Sequence, residues 1–188
     1  MEIANSKNFN IAKTAYDKYI LPLELTYYKA SVVADSGYKS KTPEQTIKDG
    51  FGFCTEQVEV AEIWLKESGI SKPEKYQLFA VPKHDIYDVK IDLSHAFIGI
   101  PDNENWILFE TGFRARNRGG VRNFADREGG FNYVLKLYNQ SLQVANITGL
   151  ILTLYKYEFP AENLTFQEFS KKVMADNNRI ALDTENYR

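Results

Sequence analysis

The sequence predicts an α+β fold in which N-terminal helices pack on an antiparallel β-sheet. Two observations carry that expectation. Apolar residues recur at spacings of three and four over the first third of the chain, and short β-rich runs bounded by turn residues fill the middle. The 188 residues suit one domain, 1–188, large enough to bury a core without disulfides.

Taken in order, Ile11, Ala12, Ala15, Tyr19, Leu23, Tyr27 and Ala30 predict helix from about Asn8 to Ala34, kinked or divided at Pro22. Tyr16, Tyr19, Tyr27 and Tyr28 read as core and groove-wall residues. Asp35-Ser36-Gly37-Tyr38 is a turn. Thr42-Pro43-Glu44-Gln45 is an N-cap with proline at the first helical position, opening a short helix that ends at Gly50. From Cys54 a helix follows whose apolar side carries Val58, Ala61 and Leu65, with Val60 and Trp64 beside them. Gly69 is its expected C-cap and Ile70 the hydrophobic residue beyond.

After Ser71-Lys72-Pro73, Tyr76 to Val81 is a strand closed by Pro82, and Lys83 to Lys90 a polar excursion. Ile91 to Ile100 and Trp106 to Thr111 are strands joined by the turn residues Pro101-Asp102-Asn103-Glu104-Asn105. Residues 112–130, rich in Gly, Arg and Asn, are expected as loop. Phe131 to Leu142 is helical, and Gly149 to Phe159 is a strand. Thr165-Phe166-Gln167-Glu168 opens a last helix to about Ala175, and the tail from Asp176 is expected to fray.

Composition narrows the function. A net charge of −2 argues against a dedicated nucleic-acid binder, which needs a basic field. One cysteine forbids an internal disulfide, and with only His84 and His95 there is little to ligate a metal; no metal or other cofactor is expected. No signal peptide and no run long enough to span a membrane is seen, so no membrane partner is expected. A reducing cytoplasm that leaves the thiol free is the expected location.

The chemistry centres on Gly50-Phe51-Gly52-Phe53-Cys54-Thr55-Glu56. A cysteine at a helix N-terminus faces the positive end of the macrodipole and unpaired N–H groups, which favour the nucleophilic thiolate. The other reading is a small buried hydrophobe. A hairpin turn centred between Asp102 and Asn103 sets His95 directly opposite Glu110, close enough for the carboxylate to take the imidazole N–H. That pairing fixes a tautomer and stabilises imidazolium for a nucleophile at the other nitrogen; its alternative is a cross-strand surface pair.

Gly-Phe-Cys-Thr-Glu at 52–56, Ser-His-Ala-Phe at 94–97 and Trp-Ile-Leu-Phe-Glu at 106–110 resemble, in that order, the transglutaminase-like superfamily of papain-type thiol enzymes. The resemblance runs from about Tyr38 to Phe113. Gly119-Gly120-Val121 and Leu154 to Pro160 extend it toward bacterial members, for a core of about 38–160. It implies a papain-like core with Cys54 as nucleophile, His95 as general base and acid, and Glu110 as orienting carboxylate. Aspartate is commoner at the last position. The Cys54 N–H is the natural first oxyanion donor. Gln45 and Tyr38 are the candidates for a second, each equally readable as structural. Arg114 and Arg116, within the Arg-rich stretch that follows Glu110, are candidates to bind an anionic substrate group, against the reading of a solvated loop. The expected activity is acyl transfer or hydrolysis at an amide or peptide carbonyl through a thioester, on a protein, peptide or small amide. The rival is a non-catalytic binding or scaffold protein that keeps the fold.

Overall fold

The computed structural model describes residues 6–21, 37–85, 87–90, 93–103, 105–111, 119–175 and 179–180. Its elements are α1 (Lys7–Ala15), α2 (Pro43–Asp49), α3 (Cys54–Glu67), β1 (Glu74–Pro82), β2 (Ser94–Asp102), β3 (Asn105–Glu110), β4 (Gly120–Phe124), α4 (Arg127–Val144), β5 (Leu150–Tyr157), α5 (Phe166–Ala175) and β6 (Arg179–Ile180). A π-helical turn, Tyr16–Ile20, continues α1. The strands form one six-stranded sheet in the order β4-β3-β2-β1-β5-β6, every neighbouring pair antiparallel. The expected α+β class with an antiparallel sheet is what the chain adopts.

Strand alternation divides the core into two layers. Ala96, Ile98 and Ile100 of β2, with Ile107 and Phe109 of β3, pack against Val58, Ala61 and Leu65 of α3 and Ala12 and Ala15 of α1. On the other face Phe97, Trp106, Leu108, Tyr76 and Leu78 pack against Phe131, Val134, Leu135 and Tyr138 of α4. Phe79, Val81, Tyr155 and Tyr157 meet Phe169 and Val173 of α5.

Helix ends follow their local chemistry. Thr42 and Gln45 form a reciprocal capping box at α2, and Gly50 closes that helix at φ 71°. At the end of α3, Ile70 N–H donates to Leu65 O at 2.9 Å and Gly69 N–H to Lys66 O at 3.0 Å, with Gly69 at φ 99°. This is a Schellman closure, and Ile70 is buried as its hydrophobic partner.

Behind α3 lies a buried ionic cluster. Lys75, 3% exposed, holds both Glu59 oxygens at 3.1 Å, Glu62 at 3.0 Å and Phe159 O at 3.1 Å. Glu59 also accepts from Ala161 N–H at 3.2 Å. Burial raises the Glu59 pKa despite the Lys75 charge. Burial acts the same way on Glu62, but hydrogen bonds from Lys66 and Lys75 outweigh it and hold that carboxyl below its usual range. The cluster joins α3, β1 and the β5–α5 connection.

Several expectations are corrected. Part of the 112–130 stretch expected as loop is β4, and α4 begins at Arg127, four residues before the apolar spacing starts. Its cap is Asp126, which accepts from Gly129 N–H at 2.8 Å. In the tail, Arg179–Ile180 pairs with Leu154 and Tyr155 of β5. The β2–β3 turn is centred one residue later than expected: Asp102 pairs with Asn105, and Asn103 takes the left-handed conformation at φ 53°. Residues 22–36, including Pro22 and the second half of the long helix expected there, lie outside the described residues. Among the described residues no helix is long and apolar enough to cross a membrane.

Two glycines are set by one indole. A Cβ on Gly99 would lie 2.1 Å from Trp106 Cζ2, and one on Gly130 would lie 2.1 Å from Trp106 Cζ3. Trp106 is buried against both, so it has no open side into which to retreat. Alanine is favoured over glycine inside a helix by about 1 kcal/mol, but overpacking a closed core costs about 1–3 kcal/mol. Gly130→Ala is therefore predicted to lower the melting temperature, whereas Gly129→Ala, whose nearest contact would be an ordinary 3.4 Å, should leave it unchanged or raise it. Thermal denaturation of both variants checks this, and a Gly130→Ala protein as stable as the parent would refute the packing argument.

Candidate active site

The start of α3 is fixed by side chains of its own first turn. Glu56, 1% exposed, accepts from Phe53 N–H at 2.7 Å, from Lys41 N–H at 2.7 Å and from the Tyr38 hydroxyl. Gln57 donates from Nε2 to Gly52 O at 2.9 Å. Gly52 must be glycine for this approach, since a Cβ there would meet Thr46 Cγ2 at 2.9 Å and Glu56 at 3.0 Å. Cys54 is thereby held as the first helical residue, its sulfur a free thiol and the residue 5% exposed. The first N–H groups of a helix have no partner within it, and they point with the macrodipole toward this end.

His95 and Glu110 come from adjacent strands. The observed register pairs Ile98 with Phe109, and continuing it sets Phe97, not His95, opposite Glu110. The displacement is two residues, so both side chains stay on one face and meet on the diagonal. His95 Nε2 lies 2.8 Å from Glu110 Oε2, with the residues 2% and 0% exposed. Nδ1 is the ring nitrogen that remains. Among the described residues, the rings of Phe97, at 6.2 Å, and Tyr138, at 6.1 Å between centroids, lie nearly parallel to the imidazole, each inclined by 22°.

Cys54 acts on the same imidazole. Burial disfavours the imidazolium and is the largest single influence. The Glu110 charge, hydrogen bonds with Cys54 and Glu110, and the Cys54 charge together outweigh it, so the His95 pKa is pushed up to about 10. Alternation groups His95 with Phe97 and α4, while Cys54 packs in the cluster of Ala96 and Val58. Thiol and imidazole therefore approach from the two sides of the first residues of β2.

The remaining expected site residues are placed differently. Gln45 is exposed, and its Oε1 accepts from Thr42 N–H at 3.2 Å, which gives it a role in capping α2. Tyr38 gives its hydroxyl to Glu56 and packs edge-on against Phe53 at 5.4 Å, supporting the approach to Cys54. Arg114 and Arg116 lie outside the described residues. Among the described residues no three His, Cys, Asp or Glu side chains are grouped to hold a metal ion. Glu56 was signalled in the sequence as a glutamate at the third helical position. Tyr138 carried no signal beyond its helical spacing.

No model of a known protein family matches the chain, and no curated protein matches it.

The His95–Glu110 pair makes stability depend on pH. The folded pKa of His95 lies above the unfolded value of about 6.5, so the stabilisation is fully present below that pH and is lost as pH rises through about 10. Glu110→Gln removes the charge that holds the imidazolium. The stability gap between the parent and Glu110→Gln should thus be widest near pH 6 and narrow steadily toward pH 10. Urea denaturation across that range measures it, and a gap that does not change with pH would exclude a charged pair.

Proposed function

We propose that the chain is a cysteine-dependent acyl-transfer enzyme with a transglutaminase-like, papain-type core. The observation that carries the reading is the 2.8 Å contact between buried His95 and Glu110, with Cys54, first residue of a helix, near enough to the same imidazole to favour its charged form. These three residues are the ones whose motifs resemble that superfamily, in the same chain order.

In this reading the Cys54 thiolate attacks the carbonyl carbon of an amide, and the oxygen takes the negative charge. The Cys54 N–H is the donor positioned at the start of α3 to receive that charge. His95, charged while it faces the thiolate, gives its proton to the departing amine nitrogen, and a thioester forms on the sulfur. Neutral His95 then takes a proton from water or from an incoming amine as it attacks, and the thiolate leaves. Glu110 keeps Nε2–H directed and stabilises the imidazolium at both stages. The substrate is a protein, a peptide or a small amide. A reducing cytoplasm would keep the thiol in the form this chemistry uses.

One observation favours the rival reading of a non-catalytic binding or scaffold protein: all three side chains are nearly closed off from solvent. Reaction with a small alkylating agent separates the two. Near pH 6.5 iodoacetamide should modify Cys54 at least ~10-fold faster in the parent than in His95→Ala, since a positioned base typically contributes 10²–10⁴-fold. Glu110→Gln should fall roughly ten- to a thousandfold, and Glu110→Asp less. Equal rates in parent and His95→Ala, read by intact mass, would leave Cys54 as a buried structural residue. With glutamine-containing peptides and a biotinylated primary amine, biotin incorporated into the peptide then reports amine transfer, and ammonia released without incorporation reports hydrolysis.

A further inference from the structure

On the face of the sheet that α4 covers, four rings follow one another with nearly parallel planes. Tyr76 and Phe97 are 5.3 Å apart at 21°, Phe97 and His95 6.2 Å apart at 22°, and His95 and Tyr138 6.1 Å apart at 22°. The first three belong to β1 and β2, where Tyr76 and Phe97 are opposed in register. The fourth comes from α4, an element separated from the Cys54, His95 and Glu110 motifs in sequence.

We propose that Tyr138 is a positioning residue for the His95 imidazole, holding the plane of the ring so that Nδ1 stays directed at the Cys54 thiol. The proposal rests on the acyl-transfer reading of the site. A hydrogen bond at Nε2 fixes one atom of the ring but leaves the ring free to tilt about that bond. A flat neighbour on the ring face removes the tilt, and an offset-stacked arrangement at this separation is a favourable one. Phe97 is held by Tyr76 and meets Phe131 edge-on at 6.3 Å, so the β2 side of the run is rigid. Tyr138 is itself buried among Val134, Leu135 and Leu142 of the same helix.

An aromatic neighbour has a second effect that an aliphatic one lacks. The π face attracts a cation, so the ring favours imidazolium over imidazole. Among the described residues, the titratable groups facing His95 include Glu110 from β3, Cys54 from α3 and Tyr138 from α4, and Phe97 adds an uncharged ring. Glu110 sets the charge and Tyr138 the plane.

The test uses the whole chain, ¹⁵N-labelled. With only two histidines, the exposed His84 serves as an internal control for the His95 ring signals. Tyr138→Leu keeps an apolar side chain and deletes the ring, while Tyr138→Phe keeps the ring. In Tyr138→Leu the His95 titration midpoint should fall by about half a pH unit, and Cys54 alkylation near pH 6.5 should slow about two- to fivefold. Tyr138→Phe should match the parent in both, and the His84 midpoint should not move in either. If Tyr138→Leu does not fold, Tyr138→Met carries the same comparison. The proposal is overturned if the ring-deleted variant matches the parent, or if Tyr138→Phe shows as large an effect. An unchanged alkylation rate in His95→Ala would instead remove the acyl-transfer reading, while the His95 midpoint still reports on the stack.

Discussion

The carboxylate of Glu56 is the constraint from which the site is built. It is buried, and its two oxygens gather three donors from two segments: the Phe53 N–H just before the helix, and the Lys41 N–H and Tyr38 hydroxyl from the stretch that leads into α2. A buried carboxylate is tolerable only when its lone pairs are met in this way. Those bonds set where α3 begins and which of its residues comes first, and therefore where the Cys54 sulfur sits. Gly52 and Gln57 close the same joint from the other side. The rest of α3 is held by the Lys75 cluster along its length and the Gly69–Ile70 closure at its end. A thiol on a helix held at its start, middle and end cannot drift relative to the sheet beneath it.

The sheet in turn brings two layers to one point. Cys54 belongs to the layer of α1 and α3, whereas the His95 ring belongs to the layer of α4. Neither layer alone contains the whole group, so helices from both faces must be packed before it exists. Trp106 couples the α4 layer to the strands, since Gly99 and Gly130 admit the indole on either side.

Much of this was legible in the residues, because local chemistry decided it. The start of α3 at Cys54 and its end at Gly69 were written in a glycine, a hydrophobic residue and a helical spacing. The nearness of His95 and Glu110 was readable even though the turn was misplaced by one residue. That error moves the register by two, and a sheet with a side-chain period of two forgives an even slip. What the residues did not reveal depends on partners far along the chain. β4 has no fully buried position and no clear alternation, and it becomes a strand only by pairing with β3. Asp126 capped a helix whose first turn holds two glycines and no apolar residue, so the spacing rule began counting too late. Gln45 had the right chemistry for an oxyanion donor, but its position in the helix gave it a nearer task at Thr42. Tyr138 reads as one more core residue until the fold lays it on an imidazole.

The ionic cluster behind α3 also bears on how this chain can vary. Lys75 and Glu59 sit where a lone charge would have little solvent to face, and Glu62 is partly buried beside them. Removing one member of such a group leaves the others uncompensated, commonly at about 3–5 kcal/mol, whereas exchanging the whole group for apolar side chains is often neutral or better. The two arrangements are thus separated by intermediates that give up a large share of a domain's marginal stability. A lineage holding this cluster would keep all three residues through long divergence, or lose them together in few steps. The charges would then mark descent more durably than the surface around them, although they touch no substrate.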